Sequence, residues 1–167
     1  IPGFDQYNTR VRQPSGFYLP NGAREGRFNT PDGKAHFTVN ALPNLTVPPG
    51  RLVLMTLRSH DQYNTTLYGL DDRYRGIKGG RRVLLMHEAD IRALGLEAEQ
   101  LVDVRSFFGD EIRLGRNFRV IPYPISKGCI ASYFPEANVL VPIGSKADGS
   151  HTPTSKWVEV EITPAKL

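Results

Sequence analysis

The densest run of polar side chains in this 167-residue sequence, Thr56 to Thr66 (TLRSHDQYNTT), overlaps the end of its most apolar run, Leu52 to Leu57 (LVLMTL). An apolar strand that delivers a cluster of donors and acceptors into a loop is how a rigid scaffold presents a ligand site. Arg58 offers a planar fork for a phosphate or carboxylate. His60, Gln62, Asn64, Thr65 and Thr66 suit polar heterocycles, ribose hydroxyls or phosphate oxygens, and Tyr63 can stack on a ring or fill a gap. The plainer alternative is a solvated loop between strands, and the residue types alone do not separate the two.

A second candidate is Asp71 to Arg82 (DDRYRGIKGGRR), where Arg73, Arg75, Lys78, Arg81 and Arg82 interleave with Gly76, Gly79 and Gly80. Glycines let the backbone approach a phosphate and cations neutralise it. Neither the Gly-x-x-x-x-Gly-Lys-Ser/Thr nor the Gly-x-Gly-x-x-Gly fingerprint is present, and a solvated hairpin explains the run as well. A third polar stretch, Gly144 to Lys156, reads as a surface loop. Its Gly144-Ser145 and Gly149-Ser150 pairs raise the remote alternative of a self-cleaving pyruvoyl enzyme.

Catalytic machinery is not identifiable from spacing. His36, His60, His87 and His151 are scattered and form no helical metal-binding pair. Cys129, the single cysteine, excludes an internal disulfide and a cysteine-built zinc or iron–sulfur site within the chain. There is no Gly-x-Ser-x-Gly elbow and no bracketed pair of carboxylates. The expectation is a binding domain with no catalytic residue and no metal ligand of its own.

The elements that must position these groups are short. Seven of the 13 prolines (Pro2, Pro14, Pro20, Pro31, Pro43, Pro48, Pro49) fall in residues 1–50, which therefore read as an arm or linker, with 51–167 as the folded domain. Within the arm only Lys34–Val39 looks strand-like. Beyond it, apolar or alternating runs predict six main strands, at Leu52–Leu57 (buried on both faces), Arg82–Met86, Leu101–Phe107, Phe118–Tyr123, Asn138–Ile143 and Trp157–Ile162. One helix is expected over Glu88–Leu94 with Gly95 as its left-handed cap, and a shorter one near Pro135. The fold class is mainly β with small helices, and a barrel closes the exposed edges. The pentapeptide DQYNT occurs at Asp5–Thr9 and at Asp61–Thr65 without matching flanks, and we read it as coincidence.

With 40% hydrophobic and 23% charged residues the composition is that of an ordinary globular domain, and the net charge of +4 permits an anionic partner without naming one. No stretch approaches the ~20 apolar residues of a membrane-spanning helix. The chain opens Ile1-Pro2-Gly3 without an initiator methionine, as expected of a piece of a longer or processed polypeptide.

Several of these segments together resemble a known family. Arg27–Phe37 (RFNTPDGKAHF), Leu54–Thr66 (LMTLRSHDQYNTT) and Tyr68–Gly76 (YGLDDRYRG) are similar to the C-terminal region of formate-dehydrogenase-like molybdopterin oxidoreductase alpha subunits. Ala89–Leu96 (ADIRALGL) leading to Leu101–Val104 (LVDV), and Asn138 ahead of Thr154–Val158 (TSKWV), resemble the molybdopterin-dinucleotide-binding domain in general. The resemblance extends over essentially the whole chain, and the 54–76 stretch is its most branch-specific part.

What the resemblance implies is a double-psi β-barrel preceded by the Pro/Gly-rich arm. The barrel contributes loops to a bis-molybdopterin guanine dinucleotide that carries molybdenum and is shared with a larger N-terminal part of the same polypeptide. On that basis Thr56, Arg58, Ser59, His60, Gln62, Asn64 and Thr65 are cofactor-loop candidates, joined by Asn138 and Lys156. The metal ligand, and a [4Fe-4S] cluster where the parent protein has one, would lie outside this chain, so the fragment alone is expected to be inactive. The implied setting is cytoplasmic, without membrane or nucleic-acid partners. The competing reading is a stand-alone barrel module that binds nucleic acid or a partner protein through the Arg73–Arg82 run.

Overall fold

The computed structural model describes residues 3–42, 45–63 and 69–166. The chain divides into two compact units, Ile1–Asn44 and Leu45–Leu167. In the first, a single turn of helix, α1 (Tyr7–Arg10), is held by the Arg10 guanidinium, which donates to the Gly3 carbonyl at 2.8 Å and lies 4.1 Å from the Phe17 ring centroid. The expected strand at Lys34–Val39 is absent. Thr30 Oγ1 donates to the Lys34 carbonyl at 2.7 Å and the Asp32 carboxylate accepts from the Lys34 amide at 3.1 Å. Side chains thus take the groups a ladder would use, and Phe37 and Val39 stand fully exposed.

The second unit is a closed barrel of six strands, β1 (Leu52–Leu57), β2 (Val83–Met86), β3 (Leu101–Phe108), β4 (Glu111–Pro122), β5 (Cys129–Tyr133) and β6 (Val158–Pro164), ordered β1-β5-β2-β4-β3-β6. Two neighbouring pairs, β1/β5 and β2/β4, run parallel and the other four antiparallel. The interior is filled by Leu54, Leu84, Val104, Phe118, Ile130 and Val160 with their neighbours. Strand β2 is buried on both faces. Leu84 and Met86 enter the barrel, while Val83 and Leu85 pack outside it with Ile77, Ala131 and Tyr133. Strand β1 differs from expectation, because Leu54 and Thr56 are buried on the inner face but Met55 is 38% exposed on the outer one.

The expected strand at Asn138–Ile143 is also corrected. Glu136–Leu140 is instead one turn of 3₁₀ helix, η1, with Asn138 N donating to the Pro135 carbonyl at 2.9 Å and Val141 N to the Asn138 carbonyl at 3.1 Å. Those local bonds occupy the backbone, and Leu140 plugs the barrel. Leu140 can enter because residue 115 is glycine; a Cβ there would lie 2.8 Å from the Phe118 ring and 3.1 Å from Leu140. The barrel's remaining strand is β5, between β1 and β2, where Ser132 Oγ donates to the Val83 carbonyl at 2.7 Å.

The helix expected after β2 is present as α2 (Glu88–Ala93). His87 Nδ1 accepts from the Ala89 amide at 2.9 Å as its N-cap. At the other end Gly95 has φ +65°, and the amides of Gly95 and Leu96 return to the carbonyls of Arg92 and Ile91, the paired bonds of a glycine-terminated helix. Among the described residues no helix is long and apolar enough to cross a membrane.

Candidate functional site

Strands β1 and β5 are parallel, so their C-terminal ends meet at one rim of the barrel, with Thr56 beside Ser132 and Leu57 beside Tyr133. The Phe134 amide adds one more bond, to the Leu57 carbonyl at 2.7 Å, before the chains diverge into the 58–63 loop and the turn that leads to η1. A third segment closes on the same rim. The Thr56 amide donates to the Ser155 carbonyl at 2.9 Å, and Lys156 Nζ donates to the Thr56 carbonyl. Three loops therefore converge where two parallel strands end.

Beside the second and third of these segments lies a cavity of about 470 Å³ lined by Arg113, Phe134, Asn138, Pro142, Thr152 and Ser155, among others; the 58–63 loop does not line it. That volume is in the range of small-molecule and cofactor sites. The Phe134 ring forms one wall, with the Arg58 guanidinium 5.7 Å from its centroid. Arg113 Nε is tied to the Val139 carbonyl at 2.6 Å, which holds its cationic group at the cavity edge. Guanidinium groups, an amide and hydroxyls around a partly apolar hollow are a donor set for an anionic ligand with a polar ring.

The structure separates the sequence candidates into groups. Arg58 and Asn138 have exposed side chains at or near the cavity, and Lys156 reaches across to β1. His60 is also exposed, its ring 3.7 Å from that of Tyr74. Thr56, Ser59 and Gln62 are buried, at 3%, 8% and 5% exposure. Ser59 and Gln62 face inward onto Arg81, a side chain that the sequence offered only as part of a basic run. Asn64 and Thr65 lie outside the described residues.

Sequence reasoning missed three further groups. Phe134, Glu136 and Asp72 carry much of the local geometry; Phe134 and Glu136 sit in a stretch with no recognisable motif, and Asp72 lies in the 71–82 run that was read for its cations. Asp72 Oδ2 accepts from the Tyr133 hydroxyl at 2.8 Å and from Arg75 Nη1 at 2.6 Å, and Oδ1 accepts the amides of Tyr74 and Arg75. Burial pushes the Asp72 carboxyl up, but the bonds from Tyr133 and Arg75 outweigh it and hold the carboxyl below its ordinary value. The Tyr133 hydroxyl moves the other way, raised well above its ordinary value by burial and by the adjacent Asp72 carboxylate.

These contacts account for much of the basic run. Arg75 is paired with Asp72, Arg81 with Glu136 at 2.8 Å, and Arg82 donates to the Arg116 carbonyl at 2.7 Å while covering the Phe118 ring. Three of its five cations are thereby engaged within the fold.

Comparison with known proteins identifies the family. The sequence profile of the family described as "Molydopterin dinucleotide binding domain" matches residues 52–158, the whole span from β1 to the start of β6. An uncharacterized oxidoreductase of Mycobacterium tuberculosis strain H37Rv is 52% identical over 98% of this chain, and an uncharacterized oxidoreductase of Mycobacterium bovis has the same identity and coverage. The protein YdeP of Escherichia coli K12 is 37% identical over 99% of the chain. The chain spans 22% of the length of each of these relatives.

Proposed function

Because the chain belongs to the molydopterin dinucleotide binding domain family, we propose that it forms one wall of a bis-molybdopterin guanine dinucleotide site in a formate-dehydrogenase-like oxidoreductase. The observation that carries this reading is the cavity beside the joined ends of β1 and β5, with Asn138 in its lining and the Arg58 guanidinium over the Phe134 ring that walls it. The donor set fits such a group. Arg58 and Arg113 would take diphosphate oxygens through their guanidinium forks, and Asn138, Thr152 and Ser155 would take ribose or heterocycle edges. Lys156 would add positive charge while bracing β1 through the Thr56 carbonyl. Asn64 and Thr65, which lie outside the described residues, are proposed from the sequence as further contacts.

When bound, the molybdenum-bearing cofactor supplies the redox chemistry, and this chain's residues bind and orient it. The two parallel pairs among the six strands support a double-psi connection of the barrel. Residues 1–50 are proposed as an arm on a barrel domain of 51–167. The longer relatives support a parent polypeptide whose remaining part completes the site, including any iron–sulfur cluster.

The test is made on the full-length protein. Arg58→Ala and Asn138→Ala should each lower molybdenum and pterin per polypeptide, measured by elemental analysis and by fluorescence of the oxidised pterin, with the thermal midpoint unchanged. Unaltered cofactor content in both variants refutes the site.

A further inference from the structure

The residue that sets the shape of this site touches none of the cavity. Arg81 is 4% exposed and lies two residues before the start of β2, and its guanidinium reaches four acceptors on two separate segments. On the β1 side, Nη1 donates to Ser59 Oγ at 2.5 Å and Nη2 to Gln62 Oε1 at 2.8 Å. On the β5 side, Nη2 also donates to the Phe134 carbonyl at 2.8 Å and Nε to Glu136 Oε1 at 2.8 Å. The Tyr133 ring lies against the guanidinium, 4.8 Å away at its centroid. Gln62 adds a direct cross-tie, its amide donating to the same Phe134 carbonyl at 2.9 Å.

A fork facing a carboxylate usually takes both oxygens, because the bidentate pair is the stronger one. Here it does not. Among the described residues Glu136 Oε2 is buried without a hydrogen-bond partner, so Arg81 engages its counter-ion through one oxygen only and spends its other donors on neutral groups of two loops. That arrangement fits a brace between segments better than an ion pair formed for its own sake. The braced segments are the ones that carry Arg58, on one side, and Phe134 and Asn138, on the other.

Resting on the function proposed above, we infer that Arg81 is a positioning residue: it locks the 58–63 loop to the 134–140 turn, so that Arg58 keeps its place beside the Phe134 wall of the cofactor cavity. Ser59 and Gln62 serve the site from behind, through Arg81, and do not meet the ligand. Arg81→Lys keeps the charge but reaches the spread of acceptors from a single point.

The experiment is hydrogen exchange with mass spectrometry on the full-length protein, beside its pterin content. Arg81→Lys should speed exchange about tenfold in peptides covering both 58–63 and 134–140, the scale set by losing one charged hydrogen bond, and pterin content should fall. Val104→Ala, which thins the barrel core, serves as the control for lost stability alone. At a matched drop in thermal midpoint it should leave both peptides and the pterin content unchanged. Gln62→Met leaves the Arg81–Glu136 pair whole and keeps the inference testable if Arg81→Lys does not fold. It should speed both segments in the same sense.

Acceleration confined to one segment, or an equal effect in Val104→Ala, overturns the inference. So does pterin loss in Gln62→Met with no change of exchange in 134–140, which would make Gln62 a direct contact. A wild-type protein that holds no pterin refutes the proposed function instead, while the exchange data still decide whether Arg81 couples the segments.

Discussion

Replacing Asp72 tests the physical account of the fold where a single buried charge organises the most contacts. Its side chain is 1% exposed and accepts from Tyr133 Oη, Arg75 Nη1 and two backbone amides. Asp72→Ala would leave the fully buried Tyr133 hydroxyl without its acceptor. An unsatisfied buried donor costs roughly 1–3 kcal/mol, and the lost charged bonds add to it, so a destabilisation of about 3 kcal/mol is expected. Arg75 contributes less, because a quarter of its side chain is in contact with water.

Asp72→Asn should cost less at neutral pH, and its difference from wild type should depend on pH with a definite sign. The carboxyl is held below its ordinary value in the fold. Its stabilisation is therefore complete above the unfolded-state pKa of about 3.9 and is lost as pH falls through the lower folded value. Urea unfolding followed at Trp157, the only tryptophan and a barrel residue, reads this directly. The wild-type advantage over Asp72→Asn should be constant from pH 7 to about 5 and shrink below about 4. A difference that stays constant to pH 2, or an Asp72→Ala cost under about 1 kcal/mol, would refute the reasoning.

Two further substitutions probe packing and backbone. Gly115→Ala drives a methyl group into Phe118 and Leu140, both fully buried, and should cost about 1–3 kcal/mol in the same urea assay; a neutral result would mean that Leu140 does not plug the barrel. Gly95→Ala puts a side chain at φ +65° with open space around it. It should cost about 1 kcal/mol from backbone strain alone, and a cost above about 3 kcal/mol would show that space, not φ, is limiting.

The elements with one strong local signal were legible. The β2 run is apolar on both faces because both faces are covered, and the α2 signal of acidic first turn, Ile91 and Gly95 is local chemistry that needs no tertiary partner. Strand β5 was not legible, since Cys129, Ala131 and Ser132 are small or polar, and Ala131 and Ser132 are buried only because β1 and β2 flank them. Asn138–Ile143 misled for the converse reason. Leu140 is a core residue and Val141 packs against the core, while Val139 and Ile143 are exposed; Leu140 enters the barrel from a turn and needs the missing side chain of Gly115, 25 positions away, to do so.

The candidate loop shows the same limit in chemical form. Its polar density admitted a ligand site or a solvated loop, and the fold adds a use that neither reading included, a charge inside. Arg58 and His60 face out, while Ser59 and Gln62 face in to solvate Arg81. A buried guanidinium must find acceptors or lose several kcal/mol, on the order of the whole stability of a domain. A barrel that buries an arginine beside a loop will therefore recruit that loop's polar residues whether or not a ligand exists. Solvating Arg81 takes only Ser59 and Gln62 from this loop, and the outward set, Arg58 with Asn138 across the rim, is left without an internal reason. That unexplained half is the part the cofactor reading accounts for.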